Sequence, residues 1–535
     1  MADGKSLSGK SISVFILAMI NVAAIASLRG LPAMAEYGLS SVFYYVFVAI
    51  GFFIPTALVS AELATGWPKK GGIYSWVKEA FGEQFGFLSI SLQWLQNVIW
   101  YPTVLSFTGA TLAFIINPEL ASNNLYMIGV ILVVYWGATL LNFRGMKTSG
   151  IFSSVGVIAG TMLPALLIIV LAAIWFMGGN PLQIEFTADA LIPDIASLST
   201  IVLAASVLLS MAGMEMSAVH AREVKDPQKD YPKAILFSTI IILAIFILGT
   251  LAIAMVVPSE KISLVAGVME AFTDFLGAYG LGWLVPIIAI LIVLGAVGQV
   301  STWIVGPSKG LFATADDGCL PPFFQKLNKN KMPVNMLLAQ AGVVTVLSLI
   351  FLLMPSVSSS YWILTALTAQ LYLIMYLFLF ASAIKLRYSR PNVRRPYKIP
   401  FGNKGMWLVA GIGILSSVFG IFIGFFPPVQ FDMGSPIVYV GFLLAGIVVF
   451  AGLPLLVHSI RKPEWAKPKK IFQEQIKPSG GSNKSKAERI SNYVKGKKRS
   501  KRKVSQVDKA ALNAKSMKKK PSKRKSGKSS SKKKK

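Results

Sequence analysis

The chain has 535 residues, with 53 Lys and Arg against 23 Asp and Glu for a formal net charge of +30, yet 54% of it is hydrophobic and only 14% is charged. With a mean hydropathy of +0.61, that balance excludes an ordinary soluble globular protein. One cysteine, Cys319, and two histidines, His220 and His458, give no disulfide framework and too few ligands for an ordinary zinc or iron site, so no cofactor or metal is expected.

A hydrocarbon layer about 30 Å thick needs roughly 20 mostly apolar residues per helical crossing, because no water is present there to satisfy free backbone groups. Twelve such windows occur, at about 11–36, 39–64, 84–116, 124–143, 149–178, 195–219, 233–257, 282–315, 333–354, 361–388, 406–427 and 436–460. They predict an all-α polytopic membrane protein with about 12 transmembrane helices. The first window is longer than the roughly 7–15 apolar residues of a cleavable signal and many spans follow it, so it is expected to remain as span one. The organisation is then a short N-terminal segment (1–10), a transmembrane domain (11–460) and a Lys-rich tail (461–535).

Basic loops stay on the cytoplasmic side of a membrane. With the N-terminus inside, the inner loops hold Lys69, Lys70 and Lys78, then Arg144 and Lys147, then Arg222, Lys225, Lys229 and Lys233, then Lys309, Lys326, Lys329 and Lys331, and finally the run from Lys385 to Lys404. The outer loops hold only Lys261 among lysines and arginines, and they carry Glu119, Glu185, Asp189, Asp194, Glu260, Glu270, Asp274 and Asp432. Both termini are therefore expected in the cytoplasm. Among the loops, 72–82 places Ile73, Trp76, Val77 and Phe81 at near-helical spacing and predicts a short interfacial helix, and 262–276 predicts a similar one outside; each reads either as a rim cover or as a gating element. The Pro-punctuated stretch 318–333 reads as a loop.

The tail from residue 461 onward has 29 Lys and Arg against 4 Asp and Glu, a net +25 of the whole chain's +30. Its Lys, Ser, Gly and Pro composition has too little apolar surface to offset chain entropy, so disorder is expected beyond about residue 478. Such a segment beside a membrane is attracted to anionic lipid headgroups. Without aromatic interleaving or a folded module, no specific nucleic-acid partner is expected.

Polar groups inside spans are costly and so mark candidate sites. Span one carries Ile25, Ala26, Ser27 and Arg29 just before Gly30 and Pro32, a composition that weakens helix continuity. A break there exposes amides able to hold a carboxylate; Arg29 could instead reach the outer headgroups. Span six has a matching weak point at Met211, Ala212, Gly213 and Met214, followed by Glu215. If each half has five spans, the second is inverted and the breaks in spans one and six become symmetry mates. Gln299 and Trp303 share a helical face in span eight, as do Tyr372 and Tyr376 in span ten, where Gln370 also lies. Gln93, Trp94, Gln96 and Asn97 in span three read as substrate or gating groups or as interhelical hydrogen bonds. Glu62, at the inner end of span two, reads as a cap or as part of a cytoplasmic gate.

These residues carry a resemblance. The run from Ser210 through Gly213-Met214-Glu215 to His220, Glu223, Asp226-Pro227 and Asp230-Tyr231-Pro232 resembles the span-six signature of the APC amino-acid transporter superfamily, most closely its glutamate/GABA antiporter branch. Trp303 to Gly310, Phe53-Ile54-Pro55 to Glu62-Leu63-Ala64, and Gly71-Gly72 with Trp76-Val77 are similar to that branch as well. The resemblance covers about residues 11–460. It implies a LeuT-like fold of five plus five inverted repeats with two further helices, and alternating access around a site between spans one, three, six, eight and ten.

It also implies a secondary antiporter that exchanges an amino acid for an amine or other amino acid in a bacterial inner membrane, and not an enzyme. By carry-over, the span-one segment and Met211 to Met214 offer backbone groups to the substrate, Glu215 links protonation to transport, and Trp303, Tyr372 and Tyr376 are aromatic gates. Gln96 and Glu62 join Glu215 as coupling or gating candidates. Where the branch's acid-resistance antiporter has a tyrosine–glutamate pair before the span-one proline, this chain has Arg29 and Gly30, and where it has a span-eight glutamate this chain has Gln299. The pocket is thus expected to be less acidic, with Arg29 available to clamp a carboxylate. The rival reading is a polytopic membrane sensor or enzyme with a basic regulatory tail. Absence of a phosphate-binding loop of the required spacing favours transport without ATP.

Overall fold

The computed structural model describes residues 13–69, 71–144, 156, 158–193, 198, 201–218 and 225–466. Among them are ten helices long and apolar enough to cross a membrane. Two shorter apolar helical segments, Val14–Ile25 and Val202–Met216, take the places of spans one and six. The protein is an all-α polytopic membrane protein, and its crossings follow the apolar windows to within a few residues where both can be compared. The start of the fifth window, residues 149–155, lies outside the described residues, as do residues 1–12 and the tail from 467.

Sequence sets the ends of these helices. Ser13, Asn123, Asp226 and Ser356 cap their helices by accepting from backbone amides two or three residues further on, which satisfies N–H groups that have no helical partner. Side chains facing outward are large and apolar, Val133, Leu353 and Ile437 among them, as expected of surfaces that meet lipid. Span ten, Val357–Ser389, has 83% of its most apolar window buried and span three, Glu83–Ile116, has 72%, whereas span twelve, Pro436–Ser459, has 11%. Spans three and ten are therefore the core of the bundle and span twelve lies on its rim.

Two places depart from regular helix. At Ala49–Phe53 span two forms a π turn, and the Ser416 hydroxyl of span eleven donates to the Gly51 carbonyl at 2.8 Å, meeting a carbonyl that the widened turn would leave short of a partner. At Ile158–Met162 span five does the same. There Gly160 lies against Gly295 of span eight so closely that a Cβ on Gly160 would come within 2.2 Å of the Leu291 carbonyl oxygen. Only glycine permits that approach of two backbones.

A short helix is present in each of the two loops where one is expected. Ile73–Phe81 buries Ile73, Trp76 and Val77 and is bounded by Gly72 and Gly82, whose φ values of 49° and 94° favour glycine. Gly267–Ala278 buries Val268, Met269, Phe272 and Phe275. Its Gly267 rests on Pro32 of span one, where a Cβ would lie 3.0 Å from the proline Cβ. The stretch 318–333 is a loop with one 3-10 turn at Pro322–Gln325.

The end of the bundle that carries Ile73–Phe81 is stitched by polar contacts. Lys78 pairs with Asp317 at 2.7 Å and with Glu83 at 3.3 Å, and the Tyr74 hydroxyl donates to Asp317 at 2.7 Å. Buried Cys319 lies in the same network, 3.9 Å from the Tyr74 hydroxyl and 3.8 Å from Glu83. Arg461 pairs with Glu83, and Gln325 Nε2 donates to the Trp465 carbonyl at 2.7 Å. The chain after span twelve thus turns back across the loop between spans eight and nine, through the 3-10 turn Pro463–Trp465.

Candidate substrate-binding site

Span one stops at Ile25 and resumes at Leu31, with Pro32 at the start of the second half. Proline has no N–H to give to the preceding turn, so the helix ends before it and restarts with it. Span six stops at Ser210 and resumes at Met214. Its pivot is Gly213, whose φ of 119° suits glycine and strains any other residue. The breaks touch: a Cβ on Gly30 would lie 2.7 Å from Ser210 Oγ, and one on Gly213 would lie 3.3 Å from Ile25 Cδ1 and 3.6 Å from the Trp303 ring.

A cavity of about 50 Å³ lies where the breaks meet. From span one it is lined by Ala24, Ile25, Ser27, Arg29 and Gly30, and from span six by Leu209, Ser210 and Ala212. Span three contributes Gln96, Asn97 and Trp100, span eight Gln299 and Trp303, and span ten Tyr372. Residues predicted from five separate windows are thereby brought to one cavity. The others sit nearby without lining it: Ala26, Met211 and Met214 are buried in the surrounding packing, and the Gly213 amide donates to the Tyr376 hydroxyl at 2.7 Å.

Arg29 is 5% exposed and turns inward. Its Nη1 donates to Thr103 Oγ1 at 3.2 Å and to the Tyr361 hydroxyl at 2.9 Å, with the rings of Trp100 and Tyr361 at 5.9 and 5.5 Å from the guanidinium carbon. None of these is a carboxylate, and among the described residues no ion pair joins Arg29 to one. Of the two readings open for this residue, the geometry matches an interior cation and not one reaching for headgroups. A buried guanidinium held by hydroxyls and aromatic faces leaves a counter-ion to be supplied.

Glu215 has the opposite situation. Its carboxylate accepts from Gln93 Nε2 at 2.7 Å, from the Tyr372 hydroxyl at 2.5 Å and from the Tyr376 hydroxyl. It is 3% exposed and is absent from the cavity wall, whereas Tyr372 stands in that wall. Glu215 thus joins the second half of span six to spans three and ten. Gln96 lines the cavity and also donates to the Gln93 carbonyl at 3.2 Å. Trp94 and Gln370 are turned elsewhere, toward Ser308 and the Ile421 carbonyl, and hold spans together.

Glu62 is remote from this cavity. Its carboxylate takes two hydrogen bonds from Arg387, both 2.6 Å, and one from the Ile399 amide at 2.9 Å, with Arg395 Nε at 3.3 Å. That cluster ties span two to the C-terminal end of span ten and the segment that follows. Trp100, Thr103 and Tyr361 were missed by sequence reasoning. Trp100 and Thr103 follow Gln96 at i+4 and i+7, one helical face, so that spacing could have found them; nothing local marks Tyr361.

The family model described as amino acid permease matches residues 12–450. The chain belongs to the amino acid permease family. Relatives cover it almost end to end through the membrane part. An uncharacterized transporter of Legionella pneumophila is 47% identical over 84% of this chain and 97% of its own length. A glutamate/gamma-aminobutyrate antiporter of Lactococcus lactis is 34% identical over 85% of this chain and 91% of its own. A probable agmatine/putrescine antiporter from the same species is 26% identical over 81% and 91%. This amino acid permease is therefore a transporter of amino acids or amines and not an enzyme, and the cavity between its broken spans is the candidate place for that cargo.

Proposed function

We propose that this permease is a secondary antiporter that binds an amino acid between the breaks of spans one and six and exchanges it for an amine or a second amino acid by alternating access. The observation that carries this reading is Arg29, a buried side chain in the cavity wall whose guanidinium is held, among the described residues, by neutral partners. A substrate carboxylate is the natural counter-ion, since a guanidinium bonds carboxylates in a two-pronged geometry. Amides freed at the restart of each broken helix are further carboxylate donors, and the carbonyls freed at Ile25 and Ser210 are acceptors for an ammonium group.

In this reading Gln96 and Gln299 orient the polar end of the substrate, Trp303 and Tyr372 close over it, and Glu215 with Tyr376 couples its arrival to the rest of span six. Arg29 favours substrates with a carboxylate, glutamate-like or neutral amino acids, over diamines. Names of the Lactococcus relatives support exchange as the mode. The charge asymmetry of the loops supports cytoplasmic termini, and the bacterial relatives support an inner-membrane location. The basic tail would lie near anionic headgroups.

Counterflow in proteoliposomes tests the reading. Uptake of labelled glutamate or a neutral amino acid should be stimulated by unlabelled amino acid or amine trapped inside, and Arg29→Ala should shift preference away from carboxylate-rich substrates. Uptake indifferent to the trapped solute would refute exchange. An unchanged substrate profile in Arg29→Ala would remove Arg29 from the site.

A further inference from the structure

Beside the cavity at the helix breaks lies a smaller one of about 10 Å³, enclosed by spans one, three, five and eight. Ser27 and Gln299 line both, so the two adjoin at those side chains. Beyond that shared mouth the wall is apolar at Val104, Phe107 and Ala296, and Thr161 is, among the described wall residues there, the one whose side chain can hydrogen-bond. Thr161 belongs to the π turn Ile158–Met162 of span five, whose Gly160 also lines this space. A π turn adds a residue to a helical turn, and so decides which side chain of span five meets the cavity.

We propose that this side cavity is the subsite for the cargo's side chain, with Ala296 and Thr161 as its specificity-determining residues, and that it selects the short neutral side chains of alanine and serine. The inference rests on the transport reading, in which Arg29 holds the cargo's carboxylate. Arg29 Nη1 donates to Thr103, which directly precedes Val104 and lies one helical turn before Phe107, so the guanidinium stands beside this space. The Arg29 amide donates to Ser27 Oγ at 3.4 Å, which puts the mouth in the same unwound segment. An α-amino acid bears its side chain on the carbon next to its carboxylate, so a carboxylate held by Arg29 starts that side chain close to the mouth. A space of about 10 Å³ is roughly what one water-sized group occupies. A methyl or a hydroxyl fits it, and the branched arm of leucine does not. An ionised end such as that of glutamate would lose its water against Val104, Phe107 and Ala296, with no opposite charge among the described wall residues. Thr161 offers a hydroxyl-ended side chain a hydrogen-bond partner.

The test is thermal unfolding of the full chain in detergent, titrated with glycine, alanine, serine, leucine and glutamate at matched ionic strength. Wild type should half-saturate with alanine and serine at concentrations roughly tenfold or more below those needed for leucine and glutamate. Ala296→Leu fills the side cavity, so the half-saturating concentration of serine relative to glycine, which has no side chain to place, should rise about tenfold. Thr161→Val keeps the shape and removes the hydroxyl, and should raise the serine value severalfold relative to alanine. The proposal is overturned if leucine or glutamate binds wild type as tightly as serine, if Ala296→Leu weakens glycine as much as serine, or if Thr161→Val leaves the serine-to-alanine ratio unchanged. Should Ala296→Leu fail to fold, Ala296→Val must shift the serine-to-glycine ratio in the same direction. If no amino acid stabilises wild type, the subsite falls together with the transport reading; if glycine, alanine and serine bind but the variants leave their ratios alone, the subsite falls and the transport reading stands.

Discussion

Arg29 donates to the hydroxyl of Tyr361 at 2.9 Å, and that same hydroxyl donates back to the Arg29 carbonyl at 3.3 Å. One side chain from span ten therefore fixes both the guanidinium and the broken backbone that bears it. Tyr361→Phe removes both bonds and little volume. Hydrogen bonds to charged groups contribute about 1.5–3 kcal/mol, so KM for a carboxylate-bearing substrate should rise roughly tenfold or more, with a smaller change in turnover. Steady-state uptake in proteoliposomes measures both.

The contact between the two helix breaks gives a paired prediction. Gly30→Ala would bring its methyl to 2.7 Å from Ser210 Oγ, tighter than packing allows, and should impair uptake. Ser210→Ala removes that oxygen and leaves only ordinary contact, so the double variant Gly30→Ala/Ser210→Ala should recover much of the loss. Additive losses in this cycle would show that the breaks do not press on each other in the working protein.

Glu62 is buried against two arginines, and removing its charge strands them. Glu62→Gln should destabilise the protein by about 3–5 kcal/mol, the usual cost of leaving a buried ion without its partner. Thermal unfolding in detergent measures this, and the loss should be much smaller when Arg387→Met accompanies it.

At the helix Gly267–Ala278, Glu270 Oε2 accepts from the Ser263 amide at 3.2 Å, and burial, reinforced by Asp274, pushes its carboxyl up to about 7. The ordinary glutamate value is near 4.5, so between those limits the folded protein holds a proton that the unfolded chain releases. Stability from this group is full below about pH 4.5 and is lost as pH rises through about 7. Glu270→Gln keeps an acceptor for the amide and should flatten that part of the unfolding-temperature profile between pH 5 and 8.

Crossings were legible in the sequence because lipid imposes one requirement on every window, about twenty apolar residues in a row. The breaks were legible too, since Pro32 after Gly30 and the lone Gly213 before Glu215 disrupt helix by local chemistry alone. Partnerships were not. Arg29 meets Tyr361 across 332 positions and Glu62 meets Arg387 across 325, and neither pair has a periodicity to announce it. Gln96 shows the intermediate case: its own helix face pointed on to Trp100 and Thr103, while the position of Tyr361 depended on how span ten packs.

Cys319 is the chain's sole thiol, and its surroundings, burial foremost, push it up to about 11. At neutral pH only roughly one molecule in ten thousand carries the reactive thiolate, so maleimides and methanethiosulfonates should pass the native protein by. A cysteine placed at an accessible position could therefore report its exposure on either side of the membrane without first stripping the background.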